Sequence, residues 1–238
     1  MTHTVHPYAH RLGIIRDWKS RWFAGDKKNY RTNIRVDAAI RAFLEKRLRG
    51  TFATGAEIER TANELKIIIH TARPGLVIGR SGENAAKLRK EVTQLVRTAD
   101  SKHGRKVTVD VIEIRQPEMD AAVVAYMVVE GLEKRLPFRR VLKSTVEKVM
   151  AVRDVVGVRI TISGRLGGAD MSRKEEIKKG RIPLQTFRAD IDFATERANL
   201  PYGVIGVKVW IYRGEVLGNA EHGSRPESRT AAPAVSRV

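Results

Sequence analysis

The amino-acid sequence predicts an α+β protein of two packed units, each with helices laid on one sheet. Three observations carry this. In the first half, β-branched runs at 65–70 and 107–114 alternate with amphipathic helical stretches. In the second half, two helical stretches come first and alternating strands follow them. Pro117 opens the second unit.

The 238 residues suffice for one large or two small domains, and 42% hydrophobic residues support a real core. Lys and Arg number 45 against 27 Asp and Glu, a formal net charge of +18. Such an excess repels itself in a compact body unless a polyanion neutralises it. Nucleic acid is the first candidate partner and an anionic membrane the second. No apolar run approaches the ~20 residues a spanning helix needs. The start of the chain, with His3, His6, Arg11 and no apolar block, lacks the pattern of a signal peptide. No membrane association and no cofactor are therefore expected. Cysteine is absent, which excludes disulfides, thiol catalysis and thiolate metal sites and fits a reducing cytoplasm.

Residues 1–36 form a basic arm holding Arg11, Arg16, Lys19, Arg21, Lys27 and Lys28 among its cations. Tyr8, Trp18, Trp22, Phe23 and Tyr30 are interleaved with them. The cations suit phosphate; the rings suit either stacking on RNA or packing on the protein's own core. His3, His6 and His10 lack supporting carboxylates, so no metal is expected. Asp37 is expected to cap a helix running to Arg49 and stopped by Gly50, with Ile40, Phe43, Leu44 and Leu48 inward. Residues 56–60 suggest a short edge strand. Ile67, Ile68 and Ile69 predict a strand covered on both faces.

Pro74-Gly75 marks a helix break before the loop Gly79-Arg80-Ser81-Gly82. The next helix is expected to start at Gly82, with Ala85, Leu88, Val92, Leu95 and Val96 on its inward stripe. Two glycines three apart let the backbone bend and approach a ligand closely. The helix N-terminus favours an anion there, and Arg80 adds a full charge. Neither the Walker pattern nor the dinucleotide fingerprint fits. The order helix, strand, strand, basic G-x-x-G loop, helix, strand matches the type II arrangement of the KH fold, in which the loop clamps a nucleic-acid backbone. The closing strand, 107–114, slips in its alternation at Val111-Ile112, which is compatible with a bulge.

In the second unit, residues 118–136 and 138–153 predict two helices separated by Pro137. The second carries Arg139, Arg140 and Lys143 within one turn, where mutual repulsion favours either an external anion or a well-solvated face. Val158, Ile160 and Ile162 mark a strand ending in the basic turn Gly164-Arg165-Leu166-Gly167-Gly168, read as a hairpin turn. Residues 172–183 are strongly basic, with Arg173, Lys174, Lys178, Lys179 and Arg181. Further strands are expected at 186–193 and 203–214, the latter with Lys208, Trp210 and Tyr212 on its outer face. Residues 218–238 lack periodicity and are expected to be disordered.

Seven blocks stand in one order: Val5-His6-Pro7, Arg11-Leu12-Gly13-Ile14, HTARPGLVIG ending at Gly79, Phe138-Arg139-Arg140, SGRLGGA from Ser163, RADID from Arg188 and YGVIGVKVWI from Tyr202. On these blocks the chain, from residue 5 to about 217, resembles the KH-containing S-three family of the small ribosomal subunit, bacterial type. The resemblance implies an arm at 1–36, a type II KH domain at 37–115, a C-terminal α/β domain at 116–217 with two helices on a mainly antiparallel sheet, and a tail at 218–238. It implies ribosomal RNA as main ligand, a place where messenger RNA comes into the particle, and S-two, S-four, S-five, S-ten and S-fourteen as neighbours. The basic turn Arg139, Arg140 and Lys143 would face incoming message and help open its helices, with no nucleotide hydrolysis. Candidate ribosomal-RNA contacts are Arg11, Arg16, Lys19, Arg21, Lys27, Lys28, Arg165, Arg173, Lys174, Lys178, Lys179 and Arg181.

Two other functions fit the sequence less well. A free-standing KH regulator of single-stranded RNA would lean on the loop alone, and the arm, the basic helix and the second unit argue against it. An enzyme needs a base, nucleophile or metal cluster in one cleft, and only Asp190 and Asp192 stand close enough to suggest one. Both are better explained as ion-pair partners of nearby Arg and Lys. The expected protein is not an enzyme.

Overall fold

The structure is a computed structural model, and it describes residues 5–61, 63–99 and 106–216. The expected tail at 218–238 and His3 lie outside the described residues. The elements are α1 (Pro7–His10), β1 (Ser20–Arg21), α2 (Lys27–Arg47), β2 (Ala53–Arg60), β3 (Glu64–Thr71), α3 (Pro74–Ile78), α4 (Glu83–Ala99), β4 (Lys106–Glu113), α5 (Ala121–Glu133), α6 (Phe138–Met150), β5 (Gly157–Gly164), β6 (Arg173–Gly180), β7 (Ala189–Leu200) and β8 (Gly203–Glu215). They form two four-stranded sheets, ordered β1-β2-β3-β4 and β6-β5-β8-β7.

The first sheet is mixed: β2 and β3 are antiparallel, whereas β1–β2 and β3–β4 are parallel. Val36, Ile40 and Leu44 of α2 and Leu88, Val92 and Val96 of α4 bury against Ile58, Leu65, Ile67, Ile69 and Val107 of this sheet. Ile68 is also buried, on the opposite face of β3, as the apolar run predicted. The bulge that this slip in alternation allowed does not form. Strands β3 and β4 keep one register from Glu64↔Lys106 to Thr71↔Glu113. Ile112 simply faces outward and stays 45% exposed.

The second sheet is antiparallel throughout. Helices α5 and α6 cover one face, where Val124, Val128, Leu142, Val146 and Val149 meet Val158, Ile160, Ile162, Val207 and Val209. On the other face Tyr212 joins Ala189 and Ile191 in a small separate core. Tyr212 is therefore buried rather than part of an exposed outer surface.

Several element bounds differ from expectation. Helix α2 starts at Lys27, not Asp37, because Asp26 accepts a hydrogen bond from the Lys28 amide at 3.2 Å and caps it. Asp37 lies inside the helix and is buried. It pairs with Arg60 and accepts from the Trp22 indole Nε1 at 2.8 Å, so its charge is matched rather than exposed. Pro74 opens α3 instead of breaking it, since a proline in the first turn lacks an N–H that would be unbonded anyway. Helix α5 starts at Ala121, not at 118. Asp120 caps it by accepting from the Ala122 and Val123 amides. Strand β7 runs to Leu200 because β8 supplies partners along its whole length, overriding a weak local pattern. The basic run at 173–180 is itself an edge strand, paired with β5. Its charge guards the open edge against pairing with another chain.

The two units meet where α5 crosses the end of α2 and β2. Phe52 packs edge-on to Tyr126 with ring centroids 6.4 Å apart. Burial pushes the Glu196 carboxyl above its usual range, and Glu45 adds to the shift. Burial and the same Glu196 push the Tyr126 hydroxyl up. A raised folded-state pKa means the folded protein holds this proton better than the unfolded chain, whose Glu titrates near ~4.3. The associated stability is present below that value and lost as pH rises through the folded pKa. Glu196→Gln keeps an acceptor for Tyr126 and removes the charge. Thermal melts at pH 5 and pH 7.5 should show the variant at least as stable as the parent at pH 7.5, with the parent's relative gain at pH 5 reduced.

Candidate nucleic-acid interface

The G-x-x-G loop joins α3 to α4. Gly79 has φ 75° and ψ 179°, a conformation that L side chains rarely adopt. The backbone there requires glycine, and a Cβ would also lie 2.7 Å from the exposed Asn84 side chain and push it aside. Gly82, at φ 77°, has open space around it. Between them Arg80, Ser81 and Gly82 form one 3-10 turn, with Ser81 itself at φ 52°. Arg80 and Ser81 are exposed, and among the described residues Arg80 has no ion-pair partner. Helix α4 begins one residue past Gly82, so its free amides point toward the loop as expected. Leu76 and Ile78 stay 54% and 40% exposed beside it. Sequence reasoning missed this apolar shelf. Its one signal is two large aliphatic residues in a helix too short to bury both.

Helix α6 presents Arg139, Arg140 and Lys143 outward while Val141, Leu142, Val146 and Val149 face the core. The helical period separates these cations into two stripes. Arg139, Lys143 and Glu147 form one, and Arg140, Ser144 and Lys148 the other. The structure also brings β6 beside this helix. The guanidinium groups of Arg139 and Arg173 lie 5.7 Å and 5.4 Å from the centre of the Phe138 ring. Arg139 lies 3.7 Å from Glu175. Lys174 lies 3.6 Å from Glu176, whose carboxyl is held below its usual range chiefly by a hydrogen bond from Arg159. Lys178, Lys179 and Arg181 are exposed and, among the described residues, without ion-pair partners.

The arm corrects the sequence reading most sharply. Arg11, expected to contact RNA, is completely buried. Its guanidinium donates to the carbonyls of Ala189 at 2.6 Å, Pro7 at 2.9 Å, Leu184 at 3.0 Å and Thr186 at 3.0 Å. Four good acceptors replace its water shell, so Arg11 fastens the arm to the second sheet and has no donor to offer RNA. Arg16 pairs with Asp190 at 2.6 Å, and Arg21 with Asp17, Glu57 and Glu59. Arg165 is likewise occupied. It bonds Ala169 and Tyr202 carbonyls and Asp170, stapling the β5–β6 turn. Lys19 lies 5.0 Å over the Tyr8 ring. Lys27 and Lys28 remain exposed on the first turn of α2.

The arm's aromatic residues divide. Trp22 is held by Asp37 and packs on Tyr30, whereas Phe23 is 92% exposed and Trp18 60% exposed. Asp192 accepts from the Ala121 amide at 2.9 Å and pairs with Arg213 at 3.1 Å. Asp190 and Asp192 are thus ion-pair partners, as expected, and neither is free to act as a base.

Two substitutions test these assignments. Arg11→Ala strands several buried carbonyls and should cost about 3 kcal/mol of stability, given ~1–3 kcal/mol per unsatisfied buried group. Chemical denaturation of the RNA-free chain would measure it, and an unchanged midpoint would contradict the anchoring role. Gly79→Ala strains the loop without touching either core. It should weaken binding to a single-stranded RNA while leaving the melting profile of the rest of the chain nearly unchanged.

Comparison with known proteins agrees with this geometry. The KH domain profile matches residues 39–119, and the profile for ribosomal protein S3, C-terminal domain, matches residues 128–211. Small ribosomal subunit protein uS3 of Coxiella burnetii is 43% identical over 233 residues, covering 98% of this chain and 96% of that protein. The uS3 proteins of Chromohalobacter salexigens and Pseudomonas aeruginosa are each 44% identical over 234 residues, covering 98% of this chain and 97% of theirs. With a G-x-x-G loop at the first sheet, a basic helix on the second, and likeness along nearly its whole length, the chain belongs to the bacterial-type uS3 family of small ribosomal subunit proteins.

Proposed function

We propose that this chain is a structural, non-catalytic constituent of the small ribosomal subunit that binds ribosomal RNA and lines the channel through which messenger RNA comes in. The observation that carries the RNA reading is the sorting of its cations. Arg11, Arg16, Arg21 and Arg165 are engaged by partners within the protein, whereas Arg80, Arg140, Lys143, Lys178, Lys179 and Arg181 stand exposed without carboxylate partners among the described residues. Charges left unmatched on a folded surface are what a phosphate backbone neutralises, with release of its counterions. The working division is an arm at 1–36, a KH domain at 37–115, a C-terminal domain at 116–217 and a tail at 218–238, with α2 reaching back across the first boundary.

In this reading the G-x-x-G loop clamps one RNA backbone segment, and Lys27, Lys28, Arg173, Lys174, Lys178, Lys179 and Arg181 contact ribosomal RNA. Arg139, Arg140 and Lys143 meet incoming message, and translocation pulls paired message against them. No bond is made or broken by the protein. The work of strand opening comes from the pulling, and the cations hold the separated phosphates. The proposed protein neighbours are S-two, S-four, S-five, S-ten and S-fourteen, and the protein works in the cytoplasm as part of the ribosome.

The test is a triple variant, Arg139→Ala, Arg140→Ala and Lys143→Ala. All three side chains point away from the core, so the variant should fold and assemble. Small subunits carrying it should translate unstructured messages at the parent rate and hairpin-containing messages more slowly. Equal rates on both messages would remove the strand-opening role.

A further inference from the structure

At the boundary between the two units, two carboxylates are left without cations. A hollow of about 210 Å³ opens there, and a wider one of about 550 Å³ adjoins it. Glu45 of α2, Tyr126 of α5 and Glu196 of β7 line both, so the two form one groove. Buried Leu44, Leu48 and Ala56 give the smaller hollow an apolar wall. Among the described residues, neither Glu45 nor Glu196 has an ion-pair partner. In a chain with 45 Lys and Arg this needs a reason.

The cations of the groove are committed elsewhere or stand at its rim. Arg41 donates to the carbonyls of Ala56 at 3.1 Å and Lys19 at 3.2 Å, and to the Ser20 hydroxyl at 2.6 Å. Arg49 is bound to Glu133 at 2.9 Å. Lys46 and Arg197 are exposed and line only the wider hollow. Burial is the main reason that the Glu196 carboxyl titrates high, and Glu45 raises it by more than Arg49 lowers it. The local field at Glu196 is therefore negative, although the chain as a whole is strongly positive.

We infer that the smaller hollow seats an arginine side chain presented by another protein of the small subunit. Its size is below the ~300–1,000 Å³ of small-molecule sites, so one side chain fits it better than a whole ligand. A guanidinium there would bridge Glu45 of the first unit and Glu196 of the second, and its planar fork can serve two carboxylates at once. Its methylene stem would lie along Leu44, Leu48 and Ala56. The Tyr126 hydroxyl hydrogen-bonds to Glu196 and ties that carboxylate to α5. Charge complementarity selects a cationic protein segment over RNA, whose phosphates the two carboxylates repel. The site is separate from the RNA-facing cations and does not rest on their reading.

The experiment has a solution arm and a particle arm. In solution, the full chain is titrated by NMR with a glycine pentapeptide carrying one central arginine, and with its lysine counterpart. The parent should prefer the arginine peptide. Glu45→Gln with Glu196→Gln should weaken that binding about tenfold or more, as loss of charge-assisted hydrogen bonds does. Glu45→Gln alone alters only an exposed side chain and should weaken it in the same direction. No binding to the parent, equal binding of both peptides, or equal binding by parent and Glu45→Gln would overturn the proposal. In intact small subunits, a photo-crosslinking residue at exposed Lys46 should capture a protein peptide containing arginine, and the double variant should lose that capture. A crosslink to RNA, to a peptide without arginine, or one unchanged in the double variant would overturn it.

Discussion

The constraint behind this structure is a charge that cannot be balanced from within: 45 cationic side chains against 27 carboxylates. The fold responds by dividing its arginines between two uses. Some become fasteners. Arg11 is sunk among backbone carbonyls, Arg60 is buried against Asp37, and Arg213 joins β8 to Asp192 and the Met119 carbonyl before α5. The planar guanidinium suits this use because it can satisfy several acceptors at once and never loses its proton. The remaining cations are kept outward, where each other's repulsion is tolerable only in water or beside an anion.

That division gives the two units their relationship. The arm reaches past the first sheet and locks onto the second through Arg11 and Arg16, while β1 adds two residues to the edge of β2. Arg49 of the first unit meets Glu133 of the second at 2.9 Å. Phe52 and Tyr126 close the same boundary from within. Three independent ties of different chemistry hold the loop at Gly79 and helix α6 in one spatial frame. A surface that must follow a polyanion over a long path gains from such a frame, because its charges are positioned before the ligand arrives.

Much of this was legible in the chain itself. The order of helices and strands followed from hydrophobic period, since Leu88, Val92 and Val96 or Val207, Val209 and Ile211 leave little choice about which face turns inward. The loop was legible because two glycines bracket an arginine before a helix. What could not be read was the destination of each charge. Arg11 and Arg80 look alike in sequence, yet one is enclosed by carbonyls from 172 to 178 residues away and the other faces water. Asp37 resembled a helix cap because its partners, Arg60 and Trp22, come from β2 and from the arm ahead of the helix. Strand β6 was hidden for a related reason. Its charges follow the demands of a sheet edge and not those of a buried face, so no alternation announces it.

The most direct measurement of this account is arginine modification by phenylglyoxal, read residue by residue by mass spectrometry, on the free chain and on the chain within small subunits. Arg11 and Arg60 should be unreactive in both states, whereas Arg80 and Arg140 should react in the free chain and be protected in the particle. Reaction at Arg11 in the folded chain, or undiminished reaction at Arg80 and Arg140 in the particle, would contradict it.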